Sequence, residues 1–330
     1  MYVFLSAKYI SFTCKKVRSG SENCFWILIP HYILERTMEK QYLIATASTC
    51  DLTNEYLSEH NIPFIKYSYT VEEKIYFDDC SEATRQEVYT RMRNGAILTT
   101  AAINTYAYRE FFEGLLKDGE KDIIFLDMSK ALSASHKFAE EAIEELKETY
   151  PNVKIIYVDT CCVSGGLGLL VMNAVKNYEA GMSFEDNLKW IEDNKFRIAH
   201  RFTVDDLSYL KRGGRVSNSA ALVGTLLNIK PVLYVPNDGT LVVSSKVRGR
   251  KKALNTIIDS IKSEIGRPDG KEFLINHADC LADAEYVRDR LLELYPSIGK
   301  ITIQGLGVVI GAHCGPGLFT IFYMTNERNP

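Results

Sequence analysis

The chain has 330 residues, of which 25% are charged and 46% apolar, with a formal net charge of −3. This mixture excludes wholesale disorder, collagen-like repeats and a disulfide miniprotein, and it provides no global positive field for nucleic acid or an anionic membrane. Its longest apolar stretches, such as 153–158 and 305–312, fall far short of the ~20 residues a spanning helix needs.

Residues 1–37 read differently from the rest. Met1–Ile10 carries Lys8, has no basic region before it and no small-residue cleavage site after it, so it makes a poor signal peptide. Met38-Glu39-Lys40-Gln41 has the look of a conventional start. The expectation is that 1–37 is a non-native or disordered extension, poorly packed, and that Met38 is the biological first residue.

From residue 40 onward, short apolar strands alternate with amphipathic helices. Strand patterns fall at 42–46, 62–67, 123–128, 154–159, 197–204, 232–235, 240–247, 271–277, 300–304 and 317–324. Over 105–117, Tyr108, Phe111, Phe112 and Leu115 form one helical stripe, with Asn104 placed to cap it. Ser183 and Asp186 resemble a capping box before the stripe of Phe184, Leu188 and Ile191. Ile257, Ile258, Ile261 and Ile265 mark a helix over 249–265. Pro236-Asn237-Asp238-Gly239 predicts a turn and makes 232–247 a hairpin.

This alternation predicts an α/β fold. The pattern changes near 195–205. That places an N-terminal α/β domain with a parallel, Rossmann-like sheet at 38–200 and a mixed α+β domain at 201–330. The eight cysteines include no CxxC pair, so neither a zinc ribbon nor a disulfide framework fits, and reduced thiols are expected.

Four strand ends run into small hydroxyl residues: Ser48-Thr49, Thr99-Thr100, Ser129 to Ser135, and Thr160 to Ser164. Ligands of open α/β sheets sit beyond the carboxyl ends of strands, where helix N-termini offer unpaired N–H groups. Such loops suit a carboxylate or phosphate, or else plain helix capping. In Asp205–Ser217 a short helix stops at Gly213-Gly214, and Arg215 projects from the turn with a planar fork that suits an anion. His313 lies in the glycine-rich stretch Gly311–Gly317, read here as a loop that allows close approach of a ligand. His277 reads as structural. No Walker A, GxGxxG, HExxH or GxSxG motif occurs. The basic run 246–252 lacks interleaved aromatics and reads as a docking surface or a solvated helix start.

Taken in order, Asp205–Ser217, Leu226–Pro231, Lys246–Gly249 and Gly311–Gly317 resemble the DegV family, bacterial fatty-acid-binding proteins that serve a fatty acid kinase. The resemblance runs from about 41 to 325. It implies a two-domain fold with the ligand at the interface and a long-chain fatty acid in an apolar tunnel. It also implies a separate ATP-dependent kinase subunit that phosphorylates the carboxyl group for phospholipid synthesis. The chain itself would be cytoplasmic and non-catalytic, with no cofactor or metal. Carried over by motif, Thr99, Thr100, Ser129, Ser133 and His313 would meet the carboxyl group, and Arg215 would face the kinase. The chain departs from the family pattern at Ala47, Ala101, Ala102, Lys130 and Ala134. Lys130 is a possible direct ion-pair partner for the head group. The alternatives are a stand-alone phosphoryl- or acyl-transferase, or a carrier for a different anionic amphiphile.

Overall fold

The computed structural model describes residues 12–19, 23–30, 42–117, 119–216 and 228–328. Residues 1–41 and 42–330 are two separate units. In the first, strands β1 (Phe12–Ser19) and β2 (Asn23–Pro30) form an antiparallel pair with Phe12 opposite Pro30. The rest of the 1–37 segment lies outside the described residues.

In the second unit, chain order gives β3 (Leu43–Ala47), α1 (Asn54–Glu59), β4 (Phe64–Ile65), β5 (Ser68–Val71) and β6 (Lys74–Phe77). Then come α2 (Glu82–Arg93), β7 (Leu98–Thr100), α3 (Thr105–Leu116), β8 (Ile123–Asp127) and α4 (Ser135–Thr149). They are followed by β9 (Ile155–Asp159), α5 (Gly165–Glu179), α6 (Phe184–Asn194), β10 (Ile198–Thr203) and α7 (Leu207–Gly213). The last third holds β11 (Ile229–Tyr234), β12 (Val242–Arg248), α8 (Arg250–Ile265), β13 (Phe273–His277) and α9 (Leu281–Leu294). The chain closes with β14 (Ile301–Gly305), α10 (Val308–Cys314) and β15 (Phe319–Met324).

Strands β4-β3-β8-β9 form a wholly parallel sheet. Every residue of β8 is buried, as a parallel strand covered on both faces requires. The second sheet, β12-β11-β10-β15-β13-β14, is antiparallel except for the β13–β14 pair. The architecture is therefore α/β with one parallel and one mixed sheet. The expected hairpin is β11–β12, and it begins three residues earlier than its apolar pattern, at Ile229.

A small further sheet, β6-β5-β7, is anticipated only at β7, as the strand end before Thr99-Thr100; β5 and β6 have no counterpart among the predicted strands. Its tight turn between Val71 and Lys74 uses Glu72 and Glu73, both at positive φ (51° and 64°). Asn-Gly is the usual sequence for such a turn, so the signal is missing from the letters. The caps at Asn104 and Ser183 form as expected: Asn104 Oδ1 accepts from the Ala107 N–H and Ser183 Oγ from the Asp186 N–H.

Helix α5 packs against both large sheets. Its opening Gly165-Gly166-Leu167-Gly168 makes this possible. A Cβ on Gly166 would come within 2.0 Å of His200 Nε2, and one on Gly168 within 2.6 Å of the Cys50 carbonyl oxygen. These glycines serve close packing rather than phosphate binding. Among the described residues, no helix is long and apolar enough to cross a membrane.

Candidate functional site

The carboxyl ends of β7 and β8 converge with α10 and the end of α7 on one cavity. Its walls include Thr100, Ser133, Arg215 and His313, with Tyr67 and the apolar Met128, Val163 and Val309 beside them. Its volume is about 120 Å³. Sites that enclose a drug-sized ligand run ~300–1,000 Å³. The space between the described walls is therefore smaller than such a site. A larger hollow of about 460 Å³, lined by Leu57, Phe64 and Leu115, contains none of the expected residues.

Thr100 Oγ1 and His313 Nε2 lie 2.8 Å apart, joining the small sheet to α10. Burial, helped by the nearby Arg215 charge, pushes the His313 imidazole down to about 4. At neutral pH His313 is therefore an uncharged hydrogen-bonding group rather than a cation. Its Nδ1 is buried without a partner among the described residues. The Gly213 backbone packs against that side of the ring, where a Cβ would come within 2.7 Å of Nδ1. The stretch read as a glycine-rich loop is a short helix up to Cys314, and His313 stands in its last turn.

Ser133 accepts from the Ser135 N–H at 3.2 Å and donates to Ser135 Oγ at 3.1 Å. The Tyr67 hydroxyl is 3.5 Å from Ser133 Oγ. Tyr67 was not among the expected residues: it ends an apolar run, and nothing in its spacing marks it. Arg215 is exposed at the rim, its Nε donating to the Leu132 carbonyl at 3.3 Å and its Nη1 to the Gly213 carbonyl at 2.5 Å. The glycine stop is as expected, with Gly214 left-handed at φ 65°. Ser217 and Leu226-Leu227, which carried part of the resemblance, lie outside the described residues.

Three of the residues singled out, Thr99, Ser129 and Lys130, do not line this cavity. Thr99 is exposed and pairs with Thr70; on a strand, neighbours point to opposite faces, so it faces away from the cavity that Thr100 lines. Ser129 is buried, accepts from the Ala131 N–H at 3.2 Å, and packs against Gly239, where a Cβ would come within 2.0 Å of its Oγ. It thus holds the β11–β12 turn against the loop after β8. Lys130 pairs with Glu140 at 2.6 Å, both partners being about one-third to one-half exposed, and does not line the cavity.

The loops after β3 and β9 also turn inward. Ser48 Oγ accepts from the Tyr67 N–H, and Ser164 donates to Asp51 Oδ2 at 2.5 Å. Asp51 is fully buried, and loss of water pushes its carboxyl up to about 7, against the pull of Arg85. Arg85, itself buried, donates to the carbonyls of Asp51, Leu52 and Gly305, which stitches the two large sheets together.

Comparison with known proteins bears on the family and the fold. The sequence model of the DegV family, described as uncharacterised, matches residues 41–326. The chain belongs to the DegV family. A DegV domain-containing protein of Clostridium perfringens is 36% identical over 292 residues, covering 88% of this chain and all of that one. Among solved structures, a DegV family protein from Thermus thermophilus, described by its fatty acid binding, is 27% identical with a TM-score of 0.77. That match covers 86% of this chain and 99% of the other. DegV of Bacillus subtilis, a fatty acid binding protein, is 25% identical with a TM-score of 0.76, over 87% of this chain and 100% of its own. The two-domain DegV architecture, with its parallel and mixed sheets, is thus the fold of this chain.

Proposed function

We propose that this DegV chain binds a long-chain fatty acid and presents its carboxyl group to a separate ATP-dependent fatty acid kinase in the cytoplasm, without catalysing a reaction itself. The observation that carries the reading is the Thr100–His313 pair at a cavity with hydroxyls on one side and apolar side chains on the other. Thr100, Ser133 and Tyr67 supply uncharged hydroxyls to the head group. A neutral His313 adds a polar ring, and Arg215 at the rim supplies the positive charge that draws an anion in. Burying the tail is worth ~0.8 kcal/mol per CH₂, so the apolar walls provide most of the affinity. The fatty-acid-binding relatives from Thermus thermophilus and Bacillus subtilis support the ligand class.

The test has two arms. Purified protein is extracted and analysed by mass spectrometry, then delipidated and titrated with myristate. It is next incubated with ATP and a fatty acid kinase catalytic subunit, and acyl-phosphate is trapped with hydroxylamine. Copurified acid, saturable uptake and kinase-dependent trapping support the reading. A delipidated protein that takes up no fatty acid overturns it.

A further inference from the structure

Below the cavity lies a buried carboxylate that head-group binding leaves unused. Asp127 ends β8 and is 1% exposed. Its Oδ1 accepts from the Met128 N–H at 2.8 Å and its Oδ2 from the Tyr108 hydroxyl at 3.2 Å. The Tyr108 hydroxyl in turn lies beside that of Tyr67, which lines the cavity and approaches Ser133 Oγ. Hydroxyls therefore run from the ligand space to Asp127.

The groups that face Asp127 can be named element by element. Helix α3 presents Tyr108, strand β9 presents Tyr157 and Asp159, and the segment before β5 presents Tyr67. Asp159 sits opposite Asp127 in the β8–β9 register. Of the neighbouring cations, Lys195 donates to the Asp159 carbonyl at 3.0 Å, and Lys130 lies over the Tyr157 ring at 5.3 Å while pairing with Glu140. Asp127 is thus surrounded by hydroxyls and a second carboxylate.

We propose that Asp127 is the proton-accepting end of this hydroxyl chain, so that binding a carboxylate head group in the cavity is coupled to uptake of a proton from solvent at Asp127. The inference rests on the fatty-acid reading above and adds its regulation by pH. Two effects act together. A second negative charge entering a poorly hydrated interior disfavours the ionised form of the first. The hydroxyl chain also has a direction. While Asp127 is ionised it must accept from Tyr108, which leaves the Tyr108 oxygen open to the neighbouring Tyr67 hydroxyl and lets that proton turn away from the cavity. Once protonated, Asp127 donates to Tyr108 and the chain reverses, turning a hydroxyl proton toward the head group. No bond other than those to the moving protons changes. Loss of water already pushes Asp127 up to about 7, so a small push suffices at neutral pH.

The experiment is a calorimetric titration of the full chain with myristate, held below its aggregation concentration, from about pH 6.5 to about pH 8.5 in two buffers of different ionisation enthalpy. The wild-type protein should lose affinity about threefold to tenfold per pH unit at the steepest point, the tenfold limit being one proton, and should show net proton uptake. Asp127→Asn should flatten the profile and abolish the uptake. Should that variant fold poorly, Tyr108→Phe breaks the chain while keeping Asp127, and should reduce both. Asp51 titrates in the same range but is common to all the proteins, so the differences isolate Asp127. A wild type that binds with a flat profile, or variants that keep its slope and uptake, would overturn the inference alone. A wild type that binds no myristate at any pH defeats the function reading and this inference with it.

Discussion

The loop after β3 and the loop after β8 begin from similar letters, small hydroxyl residues at the carboxyl end of a parallel strand, and end in different roles. After β3, Ser48, Thr49 and Asp51 are wholly buried, and the chain there is tied to Ser164 and Arg85. After β8, Ser129 is tied down, while Ser133 reaches a cavity. The difference lies in what covers each loop. The first is covered by the start of α10, where Gly307 meets Asp51, and by the buried Arg85; beside the second, Val309, Ile310 and His313 of α10 line open space. A hydroxyl at a strand end is thus an offer of hydrogen bonds, and tertiary packing decides whether protein or ligand takes it.

This contrast can be broken experimentally, first on the buried side. Arg85→Ala leaves the Asp51 and Asp78 carboxyls buried without their cation and should cost ~3–5 kcal/mol of stability, read by urea denaturation. A loss close to zero would mean the cluster is held by its other bonds. Gly166→Ala, which drives a Cβ toward His200, should cost about 1–3 kcal/mol by the same measurement, with the helical far-ultraviolet signal retained.

On the cavity side, stability should respond with the opposite sign. Asp127 is raised from 3.8 to about 7, so the folded state holds its proton where the unfolded state has lost it. Its ionisation therefore erodes stability as pH rises from about 4 through about 7. Asp127→Asn should raise the melting temperature above pH 7, with the gain shrinking toward pH 4. A gain that is equal at both ends would contradict the assigned burial of charge. The smallest effects belong to the threonine pair. Thr100→Val should weaken fatty acid binding by ~0.5–1.5 kcal/mol, about two- to tenfold, and Thr99→Val should leave it unchanged. Equal losses would erase the distinction between the two faces of β7.

Much of the fold was legible because its signals are long-range in the letters. Continuous apolar runs marked the parallel strands, and stripes such as Tyr108-Phe112 marked the helices. The β5–β6 hairpin was not, since its turn uses two glutamates. The site was legible in outline. Of the residues singled out, Thr100, Ser133, Arg215 and His313 come together at a single cavity. Motifs do not state which neighbour faces inward, however, and a three-residue strand is too short to show its alternation, so Thr99 and Thr100 looked alike. Ser129 and Lys130 were settled by partners far away in sequence or across a turn, Gly239 and Glu140. Tyr67 entered through packing alone.

The shared position of α5 between the two large sheets carries a consequence for how such chains can change. Because Gly166 fits under His200 and Gly168 under the Cys50 carbonyl, each half is shaped to the other at the thickness of a missing methyl group. A chimaera assembled from two relatives, or a fragment cut between β9 and β10, inherits that mismatch. Substitutions in the two halves are then expected to accumulate in matched pairs along this helix, while the rim near Arg215 drifts independently.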